Sequence, residues 1–411
     1  MSNDTLPEIR FPGFTEDWEQ RKLGEVVERV TRKNKKLESI RPLTISAQEG
    51  LIDQNEFFNK TVASRDVSGY YLVKKGEFAY NKSYSNGYPW GAVKRLNQYD
   101  MGVLSTLYIV FKPKKIDSDF LEKYYDTTYW YKEVSKHAAE GARNHGLLNI
   151  AASDFFETEI VMPLKIEEQQ KIGAFFKQLD DTIALHQRKL DLLKETKKGF
   201  LQKMFPKNGA KVPEIRFPGF TGDWEQRKLG DVLTVSKEKN KSNSYSKEQI
   251  LSVSREVGTV NQIEYQGRSF AGADISGYKI VYPGQLIYTK SPLKGAPYGI
   301  FQLVTEEGIV SPLYAVYNST EQALASFIGL QLKSDNIATH YLSPLVSKGA
   351  KNTINITDEG ALDGRVTYPT ITEQQKIVAF FKQLENTITL HQRKLDLLKE
   401  TKKGFLQKMF V

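Results

Sequence analysis

Two kinds of polar, basic segment supply the side chains best suited to binding chemistry, and each kind occurs twice. One kind follows Gly76 and Gly284, and the other follows Gly141 and Gly349. Lysine and hydroxyl groups bind phosphates, whereas asparagine, serine and arginine side chains hydrogen-bond to base edges. An ordinary polar loop is the alternative interpretation of each segment. The predicted nucleic-acid contacts are Tyr80, Asn81, Lys82, Ser83, Tyr84, Ser85, Asn86, Arg143, Asn144, Tyr288, Thr289, Lys290, Ser291, Lys294, Lys351 and Asn352.

These paired segments belong to a duplication that spans the 411-residue chain. Residues 7–14 recur at 213–220, residues 17–24 recur at 223–230, and residues 186–205 recur without a change at 391–410. A repeat of half the chain indicates a tandem domain duplication, because solenoid repeats run about 20–50 residues. Between the matched ends the halves diverge around a shared skeleton of glycines. Each half therefore has one near-identical segment, which is expected to perform the same role twice, and one divergent segment, which is expected to perform a different role in each half.

Apolar residues at alternating steps of four and three predict one long helix in each half. Such a heptad seam is typical of helices that pair through a narrow apolar stripe. Two identical seams in one chain favour pairing with each other, antiparallel if a pseudo-two-fold axis lies perpendicular to the helices; pairing between two chains is the alternative. The predicted seam residues are Ile172, Phe176, Leu179, Ile183, Leu190, Leu193, Ile377, Phe381, Leu384, Ile388, Leu395 and Leu398.

The divergent parts of the two halves are predicted to be mixed α and β domains, which makes the chain an α+β protein. Residues 103–111 and 309–317 have the composition of buried strands, and 71–80 and 279–288 suggest strand-turn-strand units. Residues 120–137 are predicted to be helical. The predicted domains are 1–162 (first variable domain), 163–205 (first helix), 206–212 (linker), 213–370 (second variable domain) and 371–411 (second helix).

The net charge of +9 is unevenly distributed. Residues 1–162 are neutral and 206–370 carry +2, whereas the two helical segments carry +3 and +4. Global charge is therefore weak support for nucleic-acid binding. Cysteine is absent, which excludes disulfides, thiolate nucleophiles and Cys-ligated zinc. The sequence has no basic-then-apolar leader and no long apolar run, so a cytoplasmic protein without a membrane segment is expected.

The repeated motifs resemble those of a known protein family. Each predicted helix is preceded by a Pro-x(3–5)-Glu-Gln-Gln-Lys-Ile box, at Pro163 and at Pro369, and each half carries Gly-x(3)-Tyr-x-Lys and Gly-Ala-Arg/Lys-Asn elements. Together with the alternation of variable domains and conserved helices, these elements resemble the specificity subunit of a type I DNA restriction–modification system. The resemblance covers nearly the whole chain.

The resemblance implies a fold, partners and cofactors. Each variable domain would be a target-recognition domain for one half of a split site on double-stranded DNA. The helices would form an antiparallel coiled coil that sets the spacing and binds two methyltransferase subunits, through which restriction subunits join. S-adenosylmethionine, ATP and Mg are expected in the partner subunits, and none of them in this chain.

Catalysis by the chain itself is disfavoured by its motifs. No Pro-Pro pair exists, so the Asn/Asp-Pro-Pro-Tyr/Phe motif of an adenine methyltransferase is missing, and no Gly-Lys-Ser/Thr phosphate loop occurs. Asp117, Asp119 and Glu122 weakly resemble a nuclease metal site, but the start of a helix with a solvated acidic face is favoured. No catalytic or metal-binding residue is predicted. A duplicated coiled-coil scaffold that binds only proteins remains the alternative to a DNA-recognition subunit.

Overall fold

A computed structural model describes residues 6–83, 87–137, 148, 150–207, 210–255, 257–348 and 354–411. The chain divides into two compact units. The first unit comprises Met1–Arg188 and Gln392–Val411, and the second comprises Lys189–His391. Each unit therefore contains one variable domain together with half of each long helix.

The first unit contains antiparallel sheets and short helices, and its largest core cluster is rich in aromatic side chains. Its largest sheet has four strands in the order β2-β9-β6-β7, and β1-β10, β3-β4 and β5-β8 form pairs. The strands are β1 (Glu19–Lys22), β2 (Val27–Arg29), β3 (Leu43–Ser46), β4 (Gly50–Asp53), β5 (Tyr71–Lys74), β6 (Phe78–Asn81), β7 (Ala92–Arg95), β8 (Met101–Leu104), β9 (Ile109–Pro113) and β10 (Glu159–Met162). The short helices are α1 (Leu23–Val26), α2 (Gln54–Phe58), α3 (Ser118–Tyr125), α4 (Tyr129–His137) and α5 (Ala152–Glu157).

The second unit repeats this plan. Its four-stranded sheet has the order β12-β19-β16-β17, and β11-β22, β13-β14, β15-β18 and β20-β21 form pairs. The strands are β11 (Glu225–Lys228), β12 (Leu233–Val235), β13 (Leu251–Ser254), β14 (Gly258–Asn261), β15 (Lys279–Val281), β16 (Leu286–Tyr288), β17 (Phe301–Leu303), β18 (Gly308–Val310), β19 (Ala315–Ser319), β20 (Ser347–Lys348), β21 (Ile354–Asn355) and β22 (Arg365–Tyr368). The short helices are α7 (Gln262–Gln266), α8 (Ala325–Gln331) and α9 (Asp335–Leu342), with single 3-10 turns at Leu229–Asp231, Lys247–Gln249 and Gly360–Leu362.

The runs 103–111 and 309–317, predicted to be suited to buried strands, each contain parts of two strands instead of one continuous strand. Each run contains a turn, in which the Tyr108 amide donates to the Ser105 carbonyl and the Tyr314 amide donates to the Ser311 carbonyl. The leucine inside each turn points to solvent, so the uninterrupted apolar composition concealed a bend. Residues 120–137 likewise form two helices, α3 and α4, instead of one.

The predicted strand-turn-strand units are present, but their strands do not pair with each other. In the first unit β5 pairs with β8, whereas β6 pairs with β7 and β9. The second unit has the same arrangement, with β15 on β18 and β16 on β17 and β19. The chain therefore passes from one sheet to another at Gly76 and at Gly284, which both have positive φ.

The two long helices are continuous over 38 residues each, α6 (Ile166–Lys203) and α10 (Ile371–Lys408). In the first unit Phe175 packs on Phe405, and Asp180 binds Lys402 at 2.7 Å, so the two helices run antiparallel there. In the second unit Phe200 packs on Phe380 and Lys197 pairs with Glu385. Every residue of the predicted seam is buried or half-buried. Among the described helices, none has both the length and the apolar character that crossing a bilayer requires.

A buried ion pair, which we call the arginine clamp, joins the first repeated motif to the helix start in each unit. The Arg10 guanidinium donates to both carboxylate oxygens of Glu168 at 2.6 and 2.7 Å, and Arg216 donates to Glu373 at 2.7 Å twice. Each glutamate side chain is only 1 % exposed. The clamp fixes the chain segment before β1 or β11 to α6 or α10, and the carboxylate hydrogen bond raises the pKa of each arginine.

The glutamine after each clamp glutamate connects the long helix to its variable domain. Gln169 accepts from the Asp117 amide at 2.8 Å and donates to the Pro163 carbonyl at 2.8 Å. Gln374 accepts from the Leu324 amide at 2.9 Å and donates to the Pro369 carbonyl at 2.8 Å. The Glu-Gln pair of the repeated box therefore positions each domain on its helix, since buried side-chain amides satisfy backbone groups on both elements.

Candidate nucleic-acid interface

In the first unit the loop after β6 contacts residues that precede α5. The Lys82 carbonyl accepts from the Leu148 amide at 3.0 Å, and the Lys82 ammonium donates to the Ile150 carbonyl at 3.3 Å. Asn81 accepts from the Ser83 amide at 3.0 Å, so its side chain shapes the loop. The loop after β6 and the segment before α5 therefore meet at one edge of the unit.

Tyr80 supports this loop from inside. Its side chain is fully buried, and its hydroxyl donates to the Trp90 carbonyl at 2.8 Å. Gly91 has φ +80°, and a methyl group in place of its hydrogen would lie 2.1 Å from the Asn81 carbonyl oxygen. Burial raises the pKa of Tyr80. The tyrosine and the glycine thus hold the two ends of the loop together.

In the second unit the corresponding lysine forms an ion pair. Lys290 and Lys279 both donate to the Asp358 carboxylate. Burial by itself would raise the pKa of Asp358, but the two ammonium groups outweigh it and hold that pKa below its usual value. Lys290 has φ +50°, a left-handed conformation that is uncommon for lysine and concentrates at functional sites.

The other predicted residues of this loop differ in accessibility. Tyr288 is fully buried and donates to the Tyr298 carbonyl at 2.6 Å, which repeats the role of Tyr80. Thr289 is 4 % exposed and accepts from the Ile300 amide at 3.2 Å. Ser291 and Lys294 are exposed. The buried Tyr288 and Thr289 therefore support the loop, and Ser291 and Lys294 are the members that are accessible from solvent.

Seven predicted contacts lie outside the described residues: Tyr84, Ser85, Asn86, Arg143, Asn144, Lys351 and Asn352. Sequence reasoning missed Asp358 and the Ile150 carbonyl, which bind the two loop lysines. No local signal marks them, because Asp358 lies 68 residues from Lys290 and Ile150 lies 68 residues from Lys82.

The acidic residues that weakly resembled a metal site have structural partners. Asp117 caps α3 by accepting from the amides of Asp119 and Phe120 at 2.9 Å. Asp119 and Glu122 bind Arg95 at 2.6 and 2.8 Å. The helix start and a neighbouring cation therefore account for all three carboxylates.

Each unit thus presents a polar edge on a rigid sheet. In the second unit Ser291 and Lys294 are exposed, and in the first unit Asn81, Lys82 and Ser83 are half-buried. Side chains of these types hydrogen-bond to phosphates and to base edges. The supporting tyrosine recurs in both units, whereas the sequences that follow it diverge. A shared support with divergent loop sequences suits two related surfaces that bind different ligand sequences.

A family model described as "Type I restriction modification DNA specificity domain" matches residues 15–195 and again residues 221–400. The chain is 23 % identical over 298 residues to a candidate type I restriction enzyme specificity subunit, MjaX, of Methanocaldococcus jannaschii. That match covers 67 % of this chain and 63 % of the relative, which is less than two thirds of the relative's length.

Two solved structures resemble the chain over nearly its full length. The S subunit of a type I restriction–modification system from M. genitalium has a TM-score of 0.57 at 12 % identity and covers 99 % of both chains. The HsdS subunit from Thermoanaerobacter tengcongensis has a TM-score of 0.44 at 18 % identity, with 98 % and 97 % covered. The first of these shows a shared fold. The α+β class and the resemblance inferred from the repeated motifs are both confirmed.

Proposed function

Since the chain belongs to the family of type I restriction–modification DNA specificity proteins, we propose that it reads a bipartite target on double-stranded DNA, with one half-site for each unit. The observation that carries this proposal is the repeated polar edge. Tyr80 and Tyr288 support the same loop in both units, while the sequences that follow them diverge, Asn-Lys-Ser-Tyr in the first unit and Thr-Lys-Ser-Pro in the second. Direct readout of two different sequences requires such divergence on a common support.

The proposal includes docking of two methyltransferase subunits on the helices. Four leucines outside the seam are 60–67 % exposed, and each lies two residues after a seam position. Leu185 and Leu397 belong to the first unit, and Leu192 and Leu390 belong to the second. Each unit therefore carries two exposed leucines on its paired helices, and clustered exposed apolar side chains are a mark of protein interfaces. Identical helical segments would offer two copies of one partner equivalent surfaces.

We further propose that the chain is not itself an enzyme. The described residues of the polar edges offer hydrogen-bond donors and cations without a paired nucleophile and base. S-adenosylmethionine, ATP and Mg would then be bound by the methyltransferase and restriction subunits, and methylation of adenine would depend on them. A protein-only scaffold is the competing function.

Mapping methylated adenines tests the recognition proposal. In a host that carries this chain with its methyltransferase, single-molecule sequencing is expected to reveal a split motif: two defined half-sites separated by bases of any identity. The same host with the methyltransferase alone is expected to show no such methylation. A continuous motif would count against one half-site per unit, and methylation that does not depend on the chain would favour the scaffold.

Substitutions that introduce charge at the exposed leucines test the docking of methyltransferase subunits. The double substitution Leu192→Glu and Leu390→Glu is expected to leave one methyltransferase bound where the wild type binds two, because burying a leucine contributes about 1.5–3 kcal/mol, or roughly tenfold to a hundredfold in affinity. Mass measurement of the purified complex gives the stoichiometry. Leu313→Glu is the matched control, since Leu313 is 72 % exposed on the recognition domain. Two methyltransferases on both variants would contradict docking at these leucines.

A further inference from the structure

Each unit contains a lysine-bearing loop that the interface described above does not use. We call residues 33–37 and 239–243 the asparagine loops, because each is built around one asparagine. Asn34 and Asn240 are both fully buried. A lysine stands directly before and after each of them: Lys33 and Lys35 in the first unit, Lys239 and Lys241 in the second.

The buried asparagine constructs the same loop twice. The Asn34 side-chain amide donates to the Ser39 carbonyl at 2.7 Å, and that of Asn240 donates to the Tyr245 carbonyl at 3.0 Å. Their backbone amides donate to the carbonyls of Tyr70 and Tyr278. Outside the asparagine and its flanking lysines, the two loop sequences share little, so the fold preserves this loop through the divergence of the two domains.

The loop geometry is also matched at its far end. The Leu37 amide donates to the Asn34 carbonyl at 2.9 Å, and the Asn243 amide donates to the Asn240 carbonyl at 3.0 Å. Leu37 and Asn243 both have φ +51°, a left-handed conformation that disfavours leucine in particular. Backbone strain of this kind persists where the surroundings enforce it, and it concentrates at functional sites.

The loops present cations that no residue in the described part of the chain pairs with. Lys35 and Lys36 of the first loop, Lys239 and Lys241 of the second, and Lys237 just before the second loop are exposed. Their ammonium groups have no ion-pair or hydrogen-bond partner within the described ranges. Lys33 differs, since it donates to the Gly69 carbonyl at 3.0 Å.

In the second unit these cations line a cleft. Four lysines and two carboxylates border a cleft of about 480 Å³: Lys237, Lys239, Lys241, Lys279, Asp358 and Glu359. Asp358 also binds Lys290 of the candidate interface. The basic cleft is therefore continuous with the edge proposed to read DNA.

We propose that the asparagine loops bind DNA phosphates and form a sequence-independent contact common to both half-sites. The inference rests on the proposed DNA-recognition function and adds residues to it. Base readout would require the loops to differ between the units, whereas their lysines repeat. A protein partner is disfavoured because the charge repeats and the apolar surface does not: the exposed Leu37 and Ile40 of the first unit correspond to Asn243 and Ser246, and lysine is depleted in protein interfaces.

Neutralising one loop tests the proposal through its salt dependence. The purified full chain and its variant Lys237→Gln, Lys239→Gln, Lys241→Gln are titrated with the mapped target duplex and with a random duplex at several salt concentrations. Each lost phosphate contact lowers the slope of log K against log [salt] by about 0.9. We expect the slope to fall by about 2 to 3, with binding to both duplexes weakened by the same factor. The double variant Lys35→Gln, Lys36→Gln is expected to lower the slope by about 2.

A control separates local contact from total charge. Lys189→Gln, Lys194→Gln, Lys382→Gln makes the same change in net charge on exposed positions of the long helices, and its slope is expected to fall by less than one. A loop variant whose slope falls no further than this control overturns the inference, as does weakening confined to the target duplex or a loss of methyltransferase binding alone. If the wild-type chain shows no salt-dependent DNA binding, the proposed function fails as well; if it binds normally and only the loop variant is silent, this inference alone fails.

Discussion

Exchanging residues 23–158 for the matching domain of another family member is expected to replace one half of the methylated motif and to leave the other half unchanged. The first unit has its own core and its own polar edge. We therefore expect the exchanged residues to determine which DNA half-site this unit recognises. The junctions follow the structure: they retain β1 and β10, whose register runs from Glu19 opposite Met162 to Lys22 opposite Glu159. The arginine clamp and the long helices also stay intact.

The measurement is the map of methylated adenines in a host carrying the chimaera and the methyltransferase. The reciprocal exchange within the second unit, between β11 and β22, is the matched control and should change the other half of the motif. The incoming domain has to fill the places of Phe120 and Phe155, which are buried in the first core. A folded chimaera in which both halves change, or neither, would refute independent recognition by the two units.

Replacing Arg10 of the clamp is expected to destabilise the first unit. We expect this loss of stability to exceed that from breaking any other ion pair among the unit's described residues. Arg10→Ala leaves the Glu168 carboxylate, which is 1 % exposed, without its bidentate partner. Breaking a buried pair in this way costs about 3–5 kcal/mol, because an uncompensated charge remains in a low-dielectric site. Arg216→Ala is expected to have the same effect through Glu373 in the second unit.

Urea unfolding of the full chain, followed by hydrogen exchange in residues 166–188 and 371–391, measures each effect in its own unit. Arg21→Ala is the matched control, since Arg21 pairs with Glu19 at 2.9 Å on the surface and such pairs contribute about 0–1 kcal/mol. The double substitution Arg10→Met and Glu168→Leu is expected to recover most of the loss, because it removes both charges. A loss for Arg10→Ala as small as that for Arg21→Ala would contradict the clamp.

Duplication and helix pairing follow from the sequence alone. The 20-residue identity between 186–205 and 391–410 excludes chance, and a heptad seam is periodic along a single helix, so both can be recognised without the fold. The family resemblance rests on the same repeated motifs. The break between two strands in each of the apolar runs 103–111 and 309–317 could not be predicted, because composition alone does not reveal that Leu107 and Leu313 lie in turns.

The roles of the repeated motifs needed the tertiary structure. The Pro-Glu-Ile-Arg-Phe segment and the Glu-Gln-Gln-Lys-Ile box were both visible as repeats, but 158 residues separate Arg10 from Glu168 in the clamp that joins them. The loop of Lys82 was likewise visible as a polar segment, and only the fold brings it to Leu148 and Ile150.

The physical reason is the range over which each signal acts. Helical periodicity depends on neighbours three and four residues away, and a repeat depends only on the identity of two sequence segments. Both can therefore be recognised from the sequence without the fold. The ionic partners of Lys290 and Arg10, and the burial that distinguishes supporting Tyr80 from exposed Ser291, depend on which distant segments the sheets bring together. Two lysines beside an asparagine look like any polar loop until the fold buries the asparagine and leaves the lysines in solvent.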